Sequence, residues 1–264
     1  MESRRRVSGS VWGVAMVKDE LDILPKVLRH MTEQGVDEFL ISDNGSTDGT
    51  FEMLQEMEGV HLAIDREVGY YQSAKMTLLA QAARRAGAHW IVPFDADEFW
   101  FARGSTLASY LRTARPRVLG AKMYNWFPTR DGGWGMDPIA ERLGKVAFAT
   151  HRWMRLQQGN HFAYRPGGAE SGSQSALRIA HVPWRSFAQF SRKVKTGAAA
   201  YSATTLDEKY GFHWRALGSE SSRAREQLWQ VLLDGERIEQ MHWSPKGKLT
   251  EMAPPWEIAE WPVA

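Results

Sequence analysis

The sequence predicts an α/β fold in which helices flank a mainly parallel central sheet. Over the first hundred residues, short apolar runs alternate with amphipathic segments, and this alternation of strands and helices is typical of parallel sheets covered on both faces. The chain has 264 residues, of which 43% are hydrophobic, and this is enough for one large domain with a sizeable core. Acidic and polar residues follow three of the apolar runs, at the carboxyl ends of strands where such sheets bind ligands.

The first four strands are predicted at short apolar runs, which are residues 11–17, 38–42, 60–64 and 90–94. Amphipathic or alanine-rich segments between these runs predict three helices. The first helix carries Leu24 and Leu28 on its apolar face and ends at Gly35. The second helix starts near Asp48 and runs through Met57, and the third covers residues 73–85.

The second half of the chain is less regular. Helices are predicted at residues 105–113, 186–201 and 221–241, and strands at residues 118–124 and 177–182. In helix 186–201 we expect Phe190 and Val194 to point inward and Lys193 to point outward. Residues 125–138 carry Gly, Pro, Asp and two tryptophans, so they predict a long loop that acts as a lid over the donor. The proline-rich tail after Trp243 is expected to be irregular.

Composition excludes several classes of function. The 33 basic and 31 acidic residues give a net charge of +2, too balanced to indicate nucleic acid as a partner. The chain has no cysteine, which excludes a disulfide scaffold, a thiolate metal site and a cysteine nucleophile. No apolar segment follows the basic N-terminus, and no run approaches the ~20 residues of a membrane-spanning helix. We therefore expect a cytoplasmic protein without stable membrane insertion. The twelve tryptophans suit a Trp-rich core or stacking on sugar faces.

Asp95-Ala96-Asp97-Glu98 directly follows the fourth predicted strand. In an extended chain residues i and i+2 point to the same side, so Asp95 and Asp97 are expected to face one ligand together. Two carboxylates without a softer ligand nearby suit Mg²⁺ or Mn²⁺, which would bridge to a diphosphate and neutralise charge on a departing nucleotide. Alternatively, one Asp caps the next helix and the other is solvated, but the position at the end of a buried strand favours the metal.

Three motifs together resemble the bacterial glycosyltransferase family 2 group. They are Val17-Lys18-Asp19-Glu20, then Asp43-Asn44-Gly45-Ser46-Thr47-Asp48-Gly49-Thr50, then Asp95-Ala96-Asp97-Glu98-Phe99, and they occur in the order and rough spacing of that group. A looser similarity continues from His181-Val182-Pro183-Trp184-Arg185-Ser186 through Phe190 and Lys193 to Gly197. The resemblance covers roughly residues 11–200.

The resemblance implies a GT-A fold and a nucleoside-diphosphate sugar donor, usually a UDP-sugar. On this basis residues 1–185 are predicted to form the nucleotide-sugar-binding and catalytic domain, and residues 186–264 a C-terminal helical extension packed on it. The expected reaction is metal-dependent transfer of the sugar to the hydroxyl or amine of an unidentified small molecule or glycan.

The resemblance also implies which residues touch the donor. Four residues would lie around uracil and ribose: Val17, Lys18, Glu20 and Asp43. Asp95, Ala96 and Asp97 would lie around ribose, metal and diphosphate. His181 is similar to a third metal ligand of many GT-A enzymes, although it could equally be an ordinary strand-end histidine. Three basic side chains could pair with phosphate oxygens or belong to a solvated face: Lys75, Arg185 and Lys193.

The catalytic base is the point at which the chain departs from the group. Many inverting members carry a Glu-Asp or Asp-Asp pair downstream, whose Asp is the base, and residues 100–200 contain no such pair. Besides Asp97 at the metal, the catalytic candidates are Glu98, Asp137, His161 and Glu170, each of which could be structural. We expect His161, which follows the turn-forming pair Gly159-Asn160, on the acceptor side. The base and the anomeric outcome stay open.

Three other functions compete with this interpretation. A haloacid-dehalogenase-type phosphatase also uses Asp-x-Asp after a strand, but on its first strand and with a Thr where this chain has Phe99. A sugar nucleotidyltransferase would need an N-terminal Gly-rich loop with Arg and Lys, and residues 11–20 contain only Gly13. A non-catalytic nucleotide-sugar-binding module would share the donor site without transfer.

Overall fold

The computed structural model describes residues 9–165, 168–170, 172–207 and 210–262. The basic N-terminal segment, residues 1–8, lies outside the described residues. One half of the central sheet is parallel and has the strand order β4-β1-β2-β3. These strands are β1 (Val11–Val17), β2 (Glu38–Asp43), β3 (Val60–Ile64) and β4 (Trp90–Pro93). Helices α1 (Leu24–Glu33), α2 (Thr50–Glu56) and α3 (Gln72–Ala86) connect them. The strand-helix alternation predicted from the sequence is confirmed.

Close packing on the parallel half depends on a glycine in β1. A Cβ atom at Gly13 would lie 2.6 Å from the ring of Phe39 and 3.0 Å from that of Phe94. The two rings pack edge to face, with centroids 6.1 Å apart. Glycine therefore lets these aromatic side chains cross the strand directly.

The other half of the sheet consists of strands that pair mainly antiparallel. They are β5 (Glu98–Ala102), β6 (Val118–Pro128), β7 (Trp134–Met136), β8 (Lys145–Ala149), β12 (Ser173–His181) and β13 (Thr250–Glu251). β8 joins β4 to β6, and β12 lies between β5 and β6. Helix α4 (Leu107–Thr113) follows β5, and a separate small sheet contains β9 (Arg155–Leu156), β10 (Ala163–Arg165) and β11 (Gly168–Glu170). The sequence pattern did not predict β5 or β8.

The prediction that residues 125–138 form a long loop acting as a lid is wrong. Strand β6 continues to Pro128 and pairs antiparallel with β7, so this segment is a hairpin of the central sheet. Trp126 is fully buried, and its indole N–H donates to the carbonyl of Ala253 over 3.2 Å. The Gly and Asp residues supply the hairpin turn, and the tryptophans supply core contacts rather than a mobile cover.

Three C-terminal helices form a second apolar cluster against the hairpin. They are α5 (Phe187–Ser202), α6 (Phe212–Ser219) and α7 (Ser222–Leu233), and Phe127 of β6 packs into the same cluster as Phe190 and Trp229. α7 is shorter than predicted because Gly235 adopts a left-handed φ of 72°, which ends the helix. Among the described residues no helix is long and apolar enough to cross a membrane.

The tail after Trp243 is irregular as predicted, apart from β13 and a short 3₁₀ turn at Pro255–Glu257. It is nevertheless packed closely on the sheet. Trp256 contacts Phe99 and Trp134, with ring centroids 6.1 and 5.2 Å away, and Trp261 packs against Trp126 at 5.7 Å.

His30 of α1 is a buried histidine whose protonation opposes folding. It packs at 4.4 Å from the ring of Phe101, and its Nε2 donates to the carbonyl of Trp100 over 2.9 Å. Burial outweighs the hydrogen bond to that carbonyl and lowers the pKa of His30 from 6.5 to about 4. The unfolded chain therefore binds a proton between these pH values that the folded chain does not bind.

We expect the free energy of unfolding to fall by about 2 kcal/mol between pH 7 and pH 5 because of His30 alone. The measurement is urea unfolding at both pH values for the wild type and for His30→Gln, whose amide can still donate to the carbonyl of Trp100. The variant should lose less stability on acidification than the wild type. The same substitution at the exposed His89 should leave the pH dependence unchanged, and equal slopes for wild type and His30→Gln would contradict the assignment.

Candidate active site

A cavity of about 160 Å³ opens beyond the carboxyl ends of β1, β2 and β4. The β1–α1 connection, the β4–β5 connection, the end of β12 and one face of α5 supply most of its walls. The side chains and backbone that line it are Met16, Val17, Lys18, Asp19, Glu20, Asn44, Tyr70, Asp95, Ala96, Asp97, His181, Gln189, Arg192, Lys193, Thr196, Gly197, Ala200, Tyr201, Trp214 and Trp243.

Asp97 is a buried carboxylate in the wall of this cavity, held in a turn between β4 and β5. Its Oδ2 accepts from the ammonium of Lys193 over 2.5 Å and lies 3.6 Å from Nε2 of His181. Burial alone would raise the pKa of Asp97, but the positive charges of Lys193 and Arg185 outweigh it and hold the pKa well below its usual range. Asp97 is therefore ionised at neutral pH.

Sheet pairing explains why Asp97 and His181 meet. β5 and β12 are antiparallel with Glu98 opposite His181, and the amide of Val182 donates to the carbonyl of Asp97 over 2.9 Å. β6 lies on the other side of β12 and places Asn125 opposite His181. Residues that are far apart in sequence thus stand side by side at one edge of the cavity.

The tautomer of His181 follows from its hydrogen bonds. The side-chain amide of Asn125 donates to Glu141 over 2.6 Å, and since a carboxylate only accepts, this contact fixes the orientation of the amide. Oδ1 of Asn125 then faces Nδ1 of His181 at 2.8 Å and must accept its proton. In the neutral ring the Nε2 lone pair consequently points toward Asp97. Lys246 in turn pairs with Glu141.

Asp95 lies on the same cavity but in a different set of contacts. Its carboxylate accepts from Lys145 over 2.6 Å and from the amide of Gln72 over 3.2 Å. Lys145 is buried, and although burial alone would lower its pKa, Asp95 and Glu98 raise it well above the usual value. The turn at Ala96 and Asp97 replaces the extended chain assumed from the sequence, so the two aspartates have different partners.

Comparison with known protein families identifies the family of this chain. The sequence model of the family described as Glycosyl transferase family 2 matches residues 14–178, which is more than half of the chain. The chain belongs to glycosyl transferase family 2. Its architecture is the GT-A fold that the resemblance implied, and the matched span contains β1, β2 and the Asp95–Asp97 turn of the cavity.

The solved structures that resemble this glycosyltransferase have low sequence identity to it. Residues 1–349 of S. aureus TarS are 11% identical with a TM-score of 0.44, covering 84% of this chain and 73% of that one. The same fragment in complex with UDP is 12% identical, with a TM-score of 0.43 and coverages of 79% and 70%. A nucleotidyl transferase from Methanothermobacter thermautotroptrophicus is 17% identical, with a TM-score of 0.33 and coverages of 53% and 71%. A search of curated proteins found no significant match.

Three of the four residues predicted at uracil and ribose line the cavity of this glycosyltransferase. They are Val17, Lys18 and Glu20. The ammonium of Lys18 donates to the carbonyls of Asn44 and Gly45 over 2.9 and 2.7 Å, so it ties two strand-end loops together. The fourth residue, Asp43, is buried at the carboxyl end of β2. Its Oδ1 accepts from the amide of Gly45 over 2.9 Å, whereas its Oδ2 has no partner among the described residues.

Two of the three predicted phosphate-binding side chains are engaged elsewhere. Lys75 pairs with Asp65 over 2.6 Å outside the cavity lining. Arg185 pairs with Glu20 over 2.5 Å and with Asp22 over 2.7 Å, and it fastens the start of α5 to the β1–α1 connection. Both side chains have carboxylate partners in this structure, so neither presents a free charge to a phosphate.

Lys193 was expected to point to solvent, and this is wrong. Its ammonium contacts Asp97 over 2.5 Å and Glu20 over 3.2 Å inside the cavity. The carboxylates of Asp97 and Glu20 attract the ammonium group, so a lysine that the sequence pattern places on the polar face of α5 points into the cavity. It remains the basic side chain best placed to meet a phosphate.

None of the four candidate bases lines the cavity. Glu98 is 1% exposed, and it accepts from the backbone amide of Asp95 over 3.2 Å. Burial raises its pKa to about 7 despite the nearby charge of Lys145. Asp137 is fully buried and accepts from two backbone amides, those of Ile139 and Lys246, over 2.9 and 2.8 Å. Neither carboxyl group is part of the cavity lining in this arrangement.

The other two candidates lie beyond the cavity. Glu170 pairs with Arg165 within the small three-stranded sheet. His161 pairs through Nδ1 with the carbonyl of Gly144 over 2.6 Å and lines a separate cavity that it shares with Lys145. His161 thus shares a cavity with Lys145, whose ammonium pairs with Asp95, but it does not line the cavity that holds Asp95 and Asp97.

Sequence reasoning missed the residues that come from remote elements. Trp214 and Trp243 line the cavity, and only the abundance of tryptophan hinted at them. Lys145 holds the carboxylate of Asp95 in place. Asn125, which is itself bound to Glu141, holds the imidazole of His181. These three residues belong to no motif; Asn125 and Lys145 reach the site through the pairing of β6 and β8 with their neighbours, and Glu141 lies in the connection between β7 and β8.

Proposed function

We propose that this glycosyltransferase transfers a sugar from a UDP-sugar to the hydroxyl or amine of an acceptor, with a divalent cation at Asp97 and His181. The observation that carries the proposal is the pair formed by the ionised Asp97 and by His181, whose tautomer directs the Nε2 lone pair into the same cavity. Membership in the family supports a nucleotide-sugar donor.

The donor set fits a hard cation that is completed by substrate. A carboxylate oxygen and an imidazole nitrogen are competent ligands of Mn²⁺ and Mg²⁺, and Mg²⁺ is usually bound by one or two carboxylates plus substrate phosphates. No three of the described His, Asp and Glu side chains converge as a complete metal site, so the diphosphate would supply further ligands. Asp95 lines the same cavity, and it would become a third protein ligand only by leaving Lys145, with which it is paired. When bound, the cation would neutralise charge on the departing UDP.

The remaining side chains bind and orient the donor. Lys193 sits on Asp97 in this structure, and it would turn toward the diphosphate once a cation neutralises the carboxylate. The loops after β1 and β2, cross-linked by Lys18, would hold the nucleoside. Gln72 and Lys145 keep Asp95 in position, and Asn125 keeps the Nε2 lone pair of His181 directed at Asp97.

UDP should raise the melting temperature by about 5 °C at saturating concentration in Mn²⁺ and leave it unchanged in EDTA. Without a cation the diphosphate would face the carboxylates of Asp95 and Asp97 directly, and like charges repel. His181→Ala should weaken the shift and excess Mn²⁺ should partly restore it, whereas the exposed His89→Ala should behave as wild type. Equal stabilisation by UDP in EDTA would refute the metal site.

A non-catalytic binding module would give the same thermal shift with UDP, so catalytic activity needs a separate test. Incubation with UDP-sugars and Mn²⁺ should release UDP, through slow hydrolysis even when no acceptor is present. A chain that binds UDP but releases none from any UDP-sugar would instead be a binding module. Release of pyrophosphate from a nucleoside triphosphate and a sugar phosphate would indicate a nucleotidyltransferase.

A further inference from the structure

Two tryptophans form an aromatic wall next to the proposed metal ligands. Trp214 of α6 and Trp243 both line the cavity, with ring centroids 5.5 Å apart and planes at 71°. Trp243 also meets the ring of His181 edge-on at 5.0 Å. Both indoles are half-buried, so part of each ring faces the cavity. The wall therefore begins beside His181, one of the proposed metal ligands.

A stacked pair of histidines continues this wall into a second cavity. His213 and His242 lie 4.8 Å apart with planes at 24°, and they contact Trp214 and Trp243 at 5.2 and 5.3 Å respectively. Both histidines line a cavity of about 370 Å³, and so does Phe212, a side chain that is 63% exposed. Five aromatic rings in mutual contact, which we call the aromatic path, thus link the cavity beside the proposed metal site to a second cavity at the surface.

The polar atoms along this path lack protein partners. Nε2 of His213 is buried, and no described residue hydrogen-bonds to it. Burial and the neighbouring His242 lower the pKa of His213 to about 4, so the ring is neutral at pH 7 and has one donor and one acceptor nitrogen. Neither indole N–H of Trp214 and Trp243 donates to another described residue. A buried polar atom without a partner costs stability, which ligand hydroxyl groups would recover.

We propose that the acceptor is a carbohydrate of at least two sugar residues, held along the aromatic path from Trp243 to Phe212. A pyranose ring has an apolar face, which suits stacking on an indole, and a rim of hydroxyl groups, which suits imidazole nitrogens. A lipid chain would require continuous apolar walls, and here the polar His213 and His242 interrupt them. This inference rests on the proposed function.

The transfer step then balances with groups already named. An acceptor hydroxyl oxygen at the Trp243 end forms a bond to the anomeric carbon of the donor sugar, and the bond between that carbon and the diphosphate oxygen breaks. UDP leaves with the bonding electrons, and the hydroxyl proton is released. The part of the acceptor that does not react lies beyond Trp214, where His213 and Phe212 would contact its next sugar residue.

The test uses an array printed with short oligosaccharides, polyprenyl phosphates and peptides, probed with the labelled full chain in UDP and Mn²⁺. Wild type should bind oligosaccharides, and Trp214→Leu should weaken this binding about tenfold or more, whereas Trp214→Phe should retain most of it. Phe212→Ser, an exposed change that folding should tolerate, should weaken longer oligosaccharides selectively. Trp153→Ser, at a 57% exposed tryptophan outside both cavities, is the matched control.

The thermal shift with UDP separates failure of this inference from failure of the proposed function. If UDP stabilises the chain but no oligosaccharide binds, or if a polyprenyl phosphate or peptide binds instead, the carbohydrate acceptor is refuted. Unchanged binding by Trp214→Leu and Phe212→Ser would refute the aromatic path. If UDP has no effect with any divalent cation, the proposed donor site itself fails.

Discussion

Replacing Asp97 by Asn is expected to lower sugar transfer at least about 100-fold, a barrier increase of about 2.7 kcal/mol, while the protein stays folded. Asp97 is buried, ionised and in contact with Lys193, and it faces His181 across 3.6 Å. Asparagine keeps the size of the side chain but lacks the charge that a cation or an ammonium group requires. Release of UDP from the UDP-sugar, followed under saturating Mn²⁺, measures the effect.

The control for Asp97→Asn is the same change at Asp131, an exposed residue in the turn of the β6–β7 hairpin. An asparagine there can still accept from the amide of Gly133, so activity should match wild type. Circular dichroism and the melting temperature establish that each variant is folded. Activity of Asp97→Asn within about tenfold of wild type, or ~1.4 kcal/mol, would show that Asp97 does not act directly.

The double variant Trp256→Ala/Trp261→Ala is expected to lose about 5 kcal/mol of folding free energy. Trp256 packs between Phe99 and Trp134, and the ammonium of Lys26 lies 4.3 Å from its ring centroid. Truncation removes this apolar burial and leaves voids against the sheet. Since domains are stable by only about 5–15 kcal/mol, the double variant should be marginally folded or insoluble.

Single variants and a surface control make this prediction quantitative. Trp256→Ala and Trp261→Ala should each cost about 2–3 kcal/mol, measured by urea unfolding, because each indole is only partly buried. Trp153→Ala, at an exposed tryptophan, should change stability by less than about 0.5 kcal/mol. If the tail variants match this control, the tail does not contribute to the stability of the sheet.

Local patterns predicted the elements whose structure depends on near neighbours. Residues 11–17 and 60–64 are strands with the predicted bounds, and the helix predicted at residues 73–85 is α3 with one more residue at each end. The pattern is clear there because residues 11–17 are almost all buried, and the other two elements pack apolar side chains against the core. Residues 125–138 misled the same reasoning, since Gly, Pro and Asp are typical of loops, yet the pairing of β6 with β7 decides the structure.

The sequence by itself determined the fold class, the family and the position of Asp97 at the end of a buried strand, because these follow from hydrophobic periodicity and short motifs. Only the tertiary structure decided the partners of that carboxylate. The pairing of β12 with β5 and β6 brings His181 and Asn125 to it, and α5 brings Lys193. Such contacts join residues more than fifty positions apart, and no local pattern encodes which remote side chain a buried charge will meet.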